Sequence, residues 1–301
     1  MTGSLDALQT KAWKFWDALG IVCRHPLTRS RRLQTLARYA GLQVRSRITR
    51  GPSVVPFVKD TTLIFKDSMG GRRSNVAVEL FEFEEVAFVL HALREEDLFV
   101  DVGANVGIYT VLAAGGVGAF CLSLESVPDT FRKLRAKLRL NDLERRVVAL
   151  DKGVGAALDT LRFTVSEGAS TDGTDEETVP VPVEPVGSLL GDFSSLPTIL
   201  KLDVEGWEGA VLQGADETFS QDAPLVLIVE LCEGGRCGFD ENEIDGALQD
   251  KEFTPVVYEP FHRGLRSVDR RRKGRNTLYV NDFDVFTERV RTSGAYSVLS
   301  H

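Results

Sequence analysis

The sequence predicts an α/β fold built on a parallel, doubly wound sheet, and three observations carry that prediction. From residue 98 onward apolar strand patterns alternate with helical ones. PLVLIVEL, residues 224–231, is a nearly continuous apolar run, as expected of a strand covered on both faces. FVDVGANVGIYTVLAA, Phe99 to Ala114, reads as an apolar strand, a glycine turn and an apolar helix, a layout that sets a ligand against backbone and a helix N-terminus.

In chain order, residues 1–73 read as an N-terminal appendage and 74–301 as the main domain. Trp13, Phe15, Trp16 and Leu19 have the makings of one apolar helix. Arg24 to Arg50 holds eight arginines and no Asp or Glu, which suits a solvated helical face or contact with an anionic partner or membrane surface. PFVKDTTLIFKD (56–67) and NVAVELF (75–81) read as short strands, and EFEEVAFVLHALREED (82–97) as a helix with Phe83, Val86, Leu90 and Leu93 on one face. LFVDV is the first core strand, Ile108 to Gly115 a helix and AFCLSLE the second strand. PDTFRKLRAKLRLN follows as a helix with Ser126 as N-cap, Pro128 in its first turn and Asn141 as terminator. VVALD is the third strand, and TLRFTV and VPVPV are β segments around an acidic loop, Glu167 to Glu177. TILKLD is the fourth strand, GWEGAVLQG a helix ending at Gly214, PLVLIVEL the fifth strand and ENEIDGALQD a helix. TPVVYEP and NTLYVND close the set as strands six and seven. Val102 to Leu124 carries no charge and is long enough to span a membrane. Its five glycines, Asn105 and a change of period make it strand, turn, helix and strand instead.

Composition sets outer bounds. A net charge of −8 disfavours a dedicated nucleic-acid binder. Cys23, Cys121, Cys232 and Cys237 match no common zinc or redox spacing and read as free thiols in a reducing compartment. The four histidines form no paired metal motif, so no resident metal is expected, and no secretory leader is visible. A cytoplasmic enzyme is the expectation.

Ligands of such sheets sit beyond the carboxyl ends of the strands, where strand order reverses. Every one of the first five strands ends in an acid: Asp101, Glu125, Asp151, Asp203 with Glu205, and Glu230. Acids around a helix N-terminus disfavour a polyphosphate, and GxxxxGK[ST] is absent. The turn G-A-N-V-G lacks the third glycine of a dinucleotide fingerprint. Glu125, 22 positions after Gly103, suits ribose hydroxyls. An adenosine-like end with little negative charge fits S-adenosylmethionine.

DVGANVGIYT, the acid at Glu125, the helix ending LRLND, and above all ILKLDVEGWEGAVLQGA resemble the FkbM-type S-adenosylmethionine-dependent methyltransferases, from about Ser74 to Val280. IVEL, YEPFHRGLR and NTLYV agree, while the family's usual Glu-Pro after strand two is Glu125-Ser126 here. The resemblance implies a class I methyltransferase fold, a doubly wound seven-stranded sheet with the last strand antiparallel. It implies that Asp101, Gly103, Ala104, Asn105 and Gly107 line the methionine end, with Thr110 and Ser126 among the cofactor contacts. Glu125 would hold the ribose, Asp151 would meet the adenine edge and Asp203 would face the methyl-transfer centre. It also implies O-methylation of a sugar, glycan, lipid or polyketide hydroxyl.

Three residues are candidates for the chemistry: Asp203 as positioner, Glu205 as base or acceptor contact, and His262 as base. Seven basic side chains between Phe261 and Arg275 (Arg263, Arg266, Arg270, Arg271, Arg272, Lys273 and Arg275) suit a solvated loop or a lid over an anionic acceptor. The competing readings are a nucleic-acid-modifying methyltransferase, a non-catalytic cofactor-binding module and a nicotinamide oxidoreductase. The first lacks a base-clamping tetrapeptide and interleaved aromatics, and the last is opposed by the glycine spacing.

Overall fold

The computed structural model describes residues 20, 25–28, 32–49, 53–65, 80, 82–164, 178–191, 193, 195–219, 222–231, 239–272 and 275–298. The apolar helix expected at Trp13–Leu19, Cys23, all of the 75–81 strand except Leu80, the acidic loop Glu167–Glu177, Cys232, Cys237 and Lys273 lie outside them. The chain divides into two compact units, Met1–Val86 with Tyr296–His301, and Ala87–Ala295.

The first unit contains a basic helix, α1 (Arg32–Thr49), and an antiparallel hairpin of β1 (Ser53–Pro56) and β2 (Thr62–Phe65). The Thr61 hydroxyl closes the hairpin turn, accepting from Val58 N at 3.1 Å and donating to Val58 O at 2.6 Å. Helix α1 has no acid in its first turn, and Leu33 and Val44 on it are exposed.

The second unit carries the main sheet. After α2 (Phe83–Ala92) come β3 (Leu98–Val102), α3 (Ile108–Val111), β4 (Phe120–Leu124), α4 (Pro128–Leu140) and β5 (Val147–Leu150). A small sheet follows: β6 (Gly153–Val154), β7 (Asp159–Thr164) and β8 (Thr178–Glu184), then α5 (Val186–Leu190). The main sheet resumes with β9 (Pro197–Leu202), α6 (Glu208–Gln213), α7 (Asp216–Phe219), β10 (Val226–Glu230), α8 (Glu241–Asp250), β11 (Thr254–Glu259), β12 (Gly264–Ser267), β13 (Asn276–Val280) and α9 (Phe283–Thr292).

Strand order is β12-β11-β13-β10-β9-β3-β4-β5. β3, β4, β5, β9 and β10 pair in parallel, and β13 runs antiparallel between β10 and β11. This is the class I methyltransferase order, with one correction to the expected seven strands. Gly264–Ser267, expected as loop, folds back on β11 as an eighth edge strand. A second correction concerns α4, whose N-cap is Val127 rather than Ser126 and makes no side-chain cap bond. Pro128 does open that helix and Asn141 closes it.

Both β3 and β9 are buried along their whole length, which is why they read as apolar runs. Leu98, Val100 and Val102 of β3 pack in one core with Leu200 and Leu202 of β9 and Leu227 and Val229 of β10. The segment Val102–Leu124 is strand, turn, helix and strand, as its glycines require. Its helix loosens into a π-helical stretch over Leu112–Val117 and stops at Gly118, which has φ 100°. Among the described residues no helix is long and apolar enough to cross a membrane.

Candidate active site

The chain runs β3, β4, β5 to one side and β9, β10 to the other, so the crevice lies between the ends of β3 and β9. Two strand-to-helix turns form it. The first, Gly103–Gly107, needs its glycines because of protein packing: Gly103 has φ 78°, and a Cβ there would sit 1.9 Å from the Asp203 carbonyl oxygen. Gly107 has φ 81°, and its Cβ would meet Leu134 Cδ1 at 2.3 Å. Asn105 takes φ 50°, a left-handed conformation that asparagine tolerates.

Four of the five N–H groups of this turn are used within the protein. Gly103 and Ala104 donate to Leu124 O at 3.0 and 2.9 Å, and Gly107 donates to Ala104 O at 2.8 Å. Asn105 N donates to Glu125 Oε2 at 2.8 Å, and Val127 N donates to Glu125 Oε1 at 2.8 Å. A carboxylate and carbonyls thus take up the N–H groups of Gly103, Ala104, Asn105 and Gly107, while the helix that follows opens at Ile108. Glu125 is buried, which raises its pKa against the pull of its two backbone donors. Each of its oxygens keeps a second lone pair for a ligand hydroxyl. Below the turn, buried Lys137 donates its ammonium to Val106 O at 2.6 Å.

The second turn follows β9. Glu205 has φ 55° and Gly206 φ 103°, so the backbone doubles back and leaves Glu205 exposed. Glu208, not Glu205, is the buried acid. Its Oε1 accepts from Val204 N at 3.0 Å and Gly206 N at 3.2 Å, and burial raises its pKa.

Between the turns the sheet register builds a polar row on one face. Ser123, Asp101 and Lys201 are side by side on β4, β3 and β9. Asp101 is 1% exposed; its Oδ2 accepts from Thr110 Oγ1 at 2.7 Å, and its Oδ1 is buried with no hydrogen-bond partner. Burial raises the Asp101 pKa, against the opposing effect of Lys201. Thr110 is buried and also reaches Ser123 Oγ at 2.8 Å, so its hydroxyl stands behind the carboxylate. Lys201 Nζ is 2.7 Å from Asp203 Oδ2 and 4.9 Å from the centroid of the Tyr109 ring. Burial pushes the Asp203 pKa up, but Lys201 and a side-chain hydrogen bond with Glu230 outweigh it and leave the net direction down.

The structure brings Asp101, Gly103, Ala104, Asn105, Gly107, Thr110, Glu125, Asp203 and Glu205 to these two turns, with Ser126 just past Glu125. Asp151 is exposed at the end of β5. His262 is elsewhere, in the β11–β12 turn, exposed, with Nδ1 3.4 Å from Glu259 Oε2. Two strands separate β11 from β9, a lateral distance of about 14 Å. The basic stretch is only partly free. Arg271 is buried against Glu241, and Arg263 donates to the carbonyl of Val290 in α9 and to those of Ser293 and Gly294 just after it. Among the described residues no group of three or more His, Cys, Asp or Glu side chains is arranged to hold a metal ion. Cys121 is a buried free thiol.

Sequence reasoning passed over Lys201, Glu208 and Lys137. Lys201 had a signal, a single charge inside an otherwise apolar strand core. Glu208 and Lys137 sit on helices whose patterns do not separate them from surface charges.

The site fits S-adenosylmethionine: it presents an orphan buried carboxylate oxygen and a carboxylate with spare acceptors beside a tight glycine turn. The sequence matches the model of the Methyltransferase FkbM domain over residues 101–254. No curated protein matches it. Similar solved structures include the methyltransferase FkbM from Methylobacillus flagellatus KT, at 15% identity over 72% of this chain and 55% of that chain, with a TM-score of 0.43. An rRNA methylase from Streptococcus thermophilus is similar at 12% identity over 65% of this chain and 92% of that chain, TM-score 0.38. An RNA methyltransferase from Salinibacter ruber in complex with S-adenosyl-L-homocysteine is similar at 17% identity over 66% and 88%, TM-score 0.34. The chain thus spans 55% of the length of the M. flagellatus chain. With its strand-end acids inside the matched half, the chain belongs to the FkbM family of S-adenosylmethionine-dependent methyltransferases.

Proposed function

We propose that the chain methylates a hydroxyl oxygen on a sugar, glycan, lipid or polyketide-type acceptor. The observation that carries this reading is the excess of carboxylates at the mouth of the crevice. Asp203 and Glu205 follow the end of β9 and Glu230 is the last residue of β10, with Lys201 paired to Asp203. Carboxylates accept hydrogen bonds from a hydroxyl and repel a polyanion, which supports a small or glycan-like acceptor over a nucleic acid.

S-adenosylmethionine, when bound, supplies an electrophilic methyl group. Asp101, Gly103, Ala104, Asn105 and Gly107 would hold its methionine end, with Thr110 fixing the Asp101 carboxylate. Glu125, already oriented by Asn105 N and Val127 N, would hold the ribose, beside Ser126 and Asp151. Asp203, fixed by Lys201, positions the acceptor hydroxyl, and exposed Glu205 is an acceptor contact able to take its proton. His262 is too far along the sheet edge for the same hydroxyl and serves only a long acceptor. Residues 24–50 supply a contact for an anionic partner or membrane surface, and the buried Cys121 thiol suits a cytoplasmic setting.

The test is transfer of labelled methyl to a panel of sugars, nucleotide sugars, lipids and RNA, with the product linkage read by mass spectrometry and NMR. An O-methyl ether on a non-nucleic-acid hydroxyl is expected. Methylation of RNA alone, or at nitrogen or carbon, would overturn the reading.

A further inference from the structure

Helix α1 lies in the one stretch of this acidic chain that is strongly basic. Arg24 to Arg50 holds eight arginines and no Asp, Glu or Lys. The whole chain is at −8 and this stretch at +8, so the remainder is at −16.

The approach to the helix is anchored within its own unit. His25 Nε2 is 2.6 Å from Leu80 O, and its ring meets the Phe83 ring edge-on at 5.5 Å. Thr28 is buried, and its hydroxyl donates to His25 O at 2.9 Å. On the helix itself Thr35 is buried. At about 100° per residue the opposite face carries Leu33, Ala37, Ala40 and Val44, within about 60° of one another. All four are exposed, Leu33 at 83% and Val44 at 54%. Arg32 falls on one flank of this stripe and Arg38 on the other.

The combination narrows the partner. Arginines alone suit any anion, a nucleic acid included. Two large aliphatic side chains on the same exposed face gain little from a phosphodiester backbone. At the surface of a bilayer they leave water, and guanidinium groups beside the stripe meet lipid phosphates while their stems lie along the apolar boundary. With no acid in the stretch, nothing on it repels an anionic leaflet, and the charge of −16 on the rest of the chain disfavours contact through other surfaces.

We propose that α1 lies flat on an anionic lipid bilayer, with Leu33, Ala37, Ala40 and Val44 at the boundary of headgroups and acyl chains and the arginines of residues 24–50 among the lipid phosphates. This deepens the reading above, on which it rests for the role of residues 24–50, by naming the anionic partner as a lipid surface. It does not depend on the methyl-transfer chemistry.

Co-sedimentation of the full chain with vesicles of phosphatidylcholine alone, and of phosphatidylcholine with about one third phosphatidylglycerol, reads the contact directly. Anionic vesicles should bind at least about tenfold more tightly than neutral ones. That binding should fall about tenfold or more between about 50 and about 500 mM salt. The double variant Leu33→Ser, Val44→Ser keeps every arginine. Its affinity for anionic vesicles should fall about tenfold, with its thermal unfolding and its calorimetric affinity for S-adenosylmethionine unchanged. Equal binding to both vesicle types, or binding to neither, would overturn the proposal without any variant. Full affinity in the double variant would overturn it too, as would binding of single-stranded RNA or polyglutamate in place of anionic vesicles. Failure of the methyltransferase reading shows separately, as absent cofactor binding by the unaltered chain, which vesicle binding does not require.

Discussion

The two turns at the crevice solve one problem in different ways. Each follows a parallel strand, each contains a glycine at positive φ, and each is held by a buried glutamate accepting two backbone N–H groups. In the second turn the glutamate is Glu208, only a few residues on, and the arrangement is a local clamp. In the first it is Glu125, at the end of a neighbouring strand. A local clamp can form before the sheet does. A clamp from β4 works only once β3 and β4 are paired, so the first turn is shaped by tertiary structure and keeps spare acceptor capacity toward the crevice. Under the proposed function, the difference separates a turn that serves the fold from one that would serve the fold and a ligand.

The glycines offer the strongest way to break that comparison. At Gly103 an added Cβ would overlap a backbone carbonyl, and backbone cannot swing away. Gly103→Ala should destabilise by more than about 3 kcal/mol, or prevent folding, as read by thermal and denaturant unfolding. At Gly107 the obstacle is the tip of Leu134, which can turn, so Gly107→Ala should lose only about 1–3 kcal/mol. Equal losses at the two positions would mean that the contact between the turns does not fix the crevice.

The glutamates sharpen it. Glu125→Ala and Glu208→Ala each strand two backbone donors, so both should lose about 1–3 kcal/mol of stability by denaturant titration. Only the Glu125 variant should also lose ribose contacts. A Glu208 variant that weakens cofactor binding as much as a Glu125 variant would erase the functional distinction between the turns.

A smaller effect belongs to Lys137. Burial lowers its pKa from the ordinary 10.5 to about 8. A lysine depressed in the folded state contributes stability that is present above pH 10.5 and is lost as pH falls through about 8. Lys137→Met removes that dependence. The variant's melting temperature relative to the parent should therefore be highest near pH 7 and decline as pH rises from 8 toward 10.5. Cofactor affinity should fall modestly at every pH, because Val106 O loses its tie. A melting-temperature difference that does not change with pH would show that Lys137 is not a buried ammonium.

How much of this was legible in the residues follows the same division. Strand and helix order from Leu98 to Val280 was readable because buried parallel strands must be apolar along their length and helices must show a stripe. The acids at the strand ends were readable because they stand beside turns. The edge strand Gly264–Ser267 was not, since its arginine-rich pattern is that of a solvated loop, and only pairing with β11 makes it β. The choice between Glu205 and Glu208 was not readable either. It depends on the positive φ at Glu205 and Gly206, which turns one acid outward and brings the other under the backbone. The glycines of the first turn were legible as necessary; that they make room for Asp203 and Leu134 was not, because those neighbours come from distant parts of the sequence.

Calorimetric titration with S-adenosylmethionine of the unaltered chain and of Glu125→Ala tests the central claim most directly. Binding at a single site is expected, weakened about tenfold or more in the variant, since a charge-assisted hydrogen bond is worth about 1.5–3 kcal/mol. No binding at millimolar concentration by the unaltered chain, or the same affinity in both proteins, would contradict it.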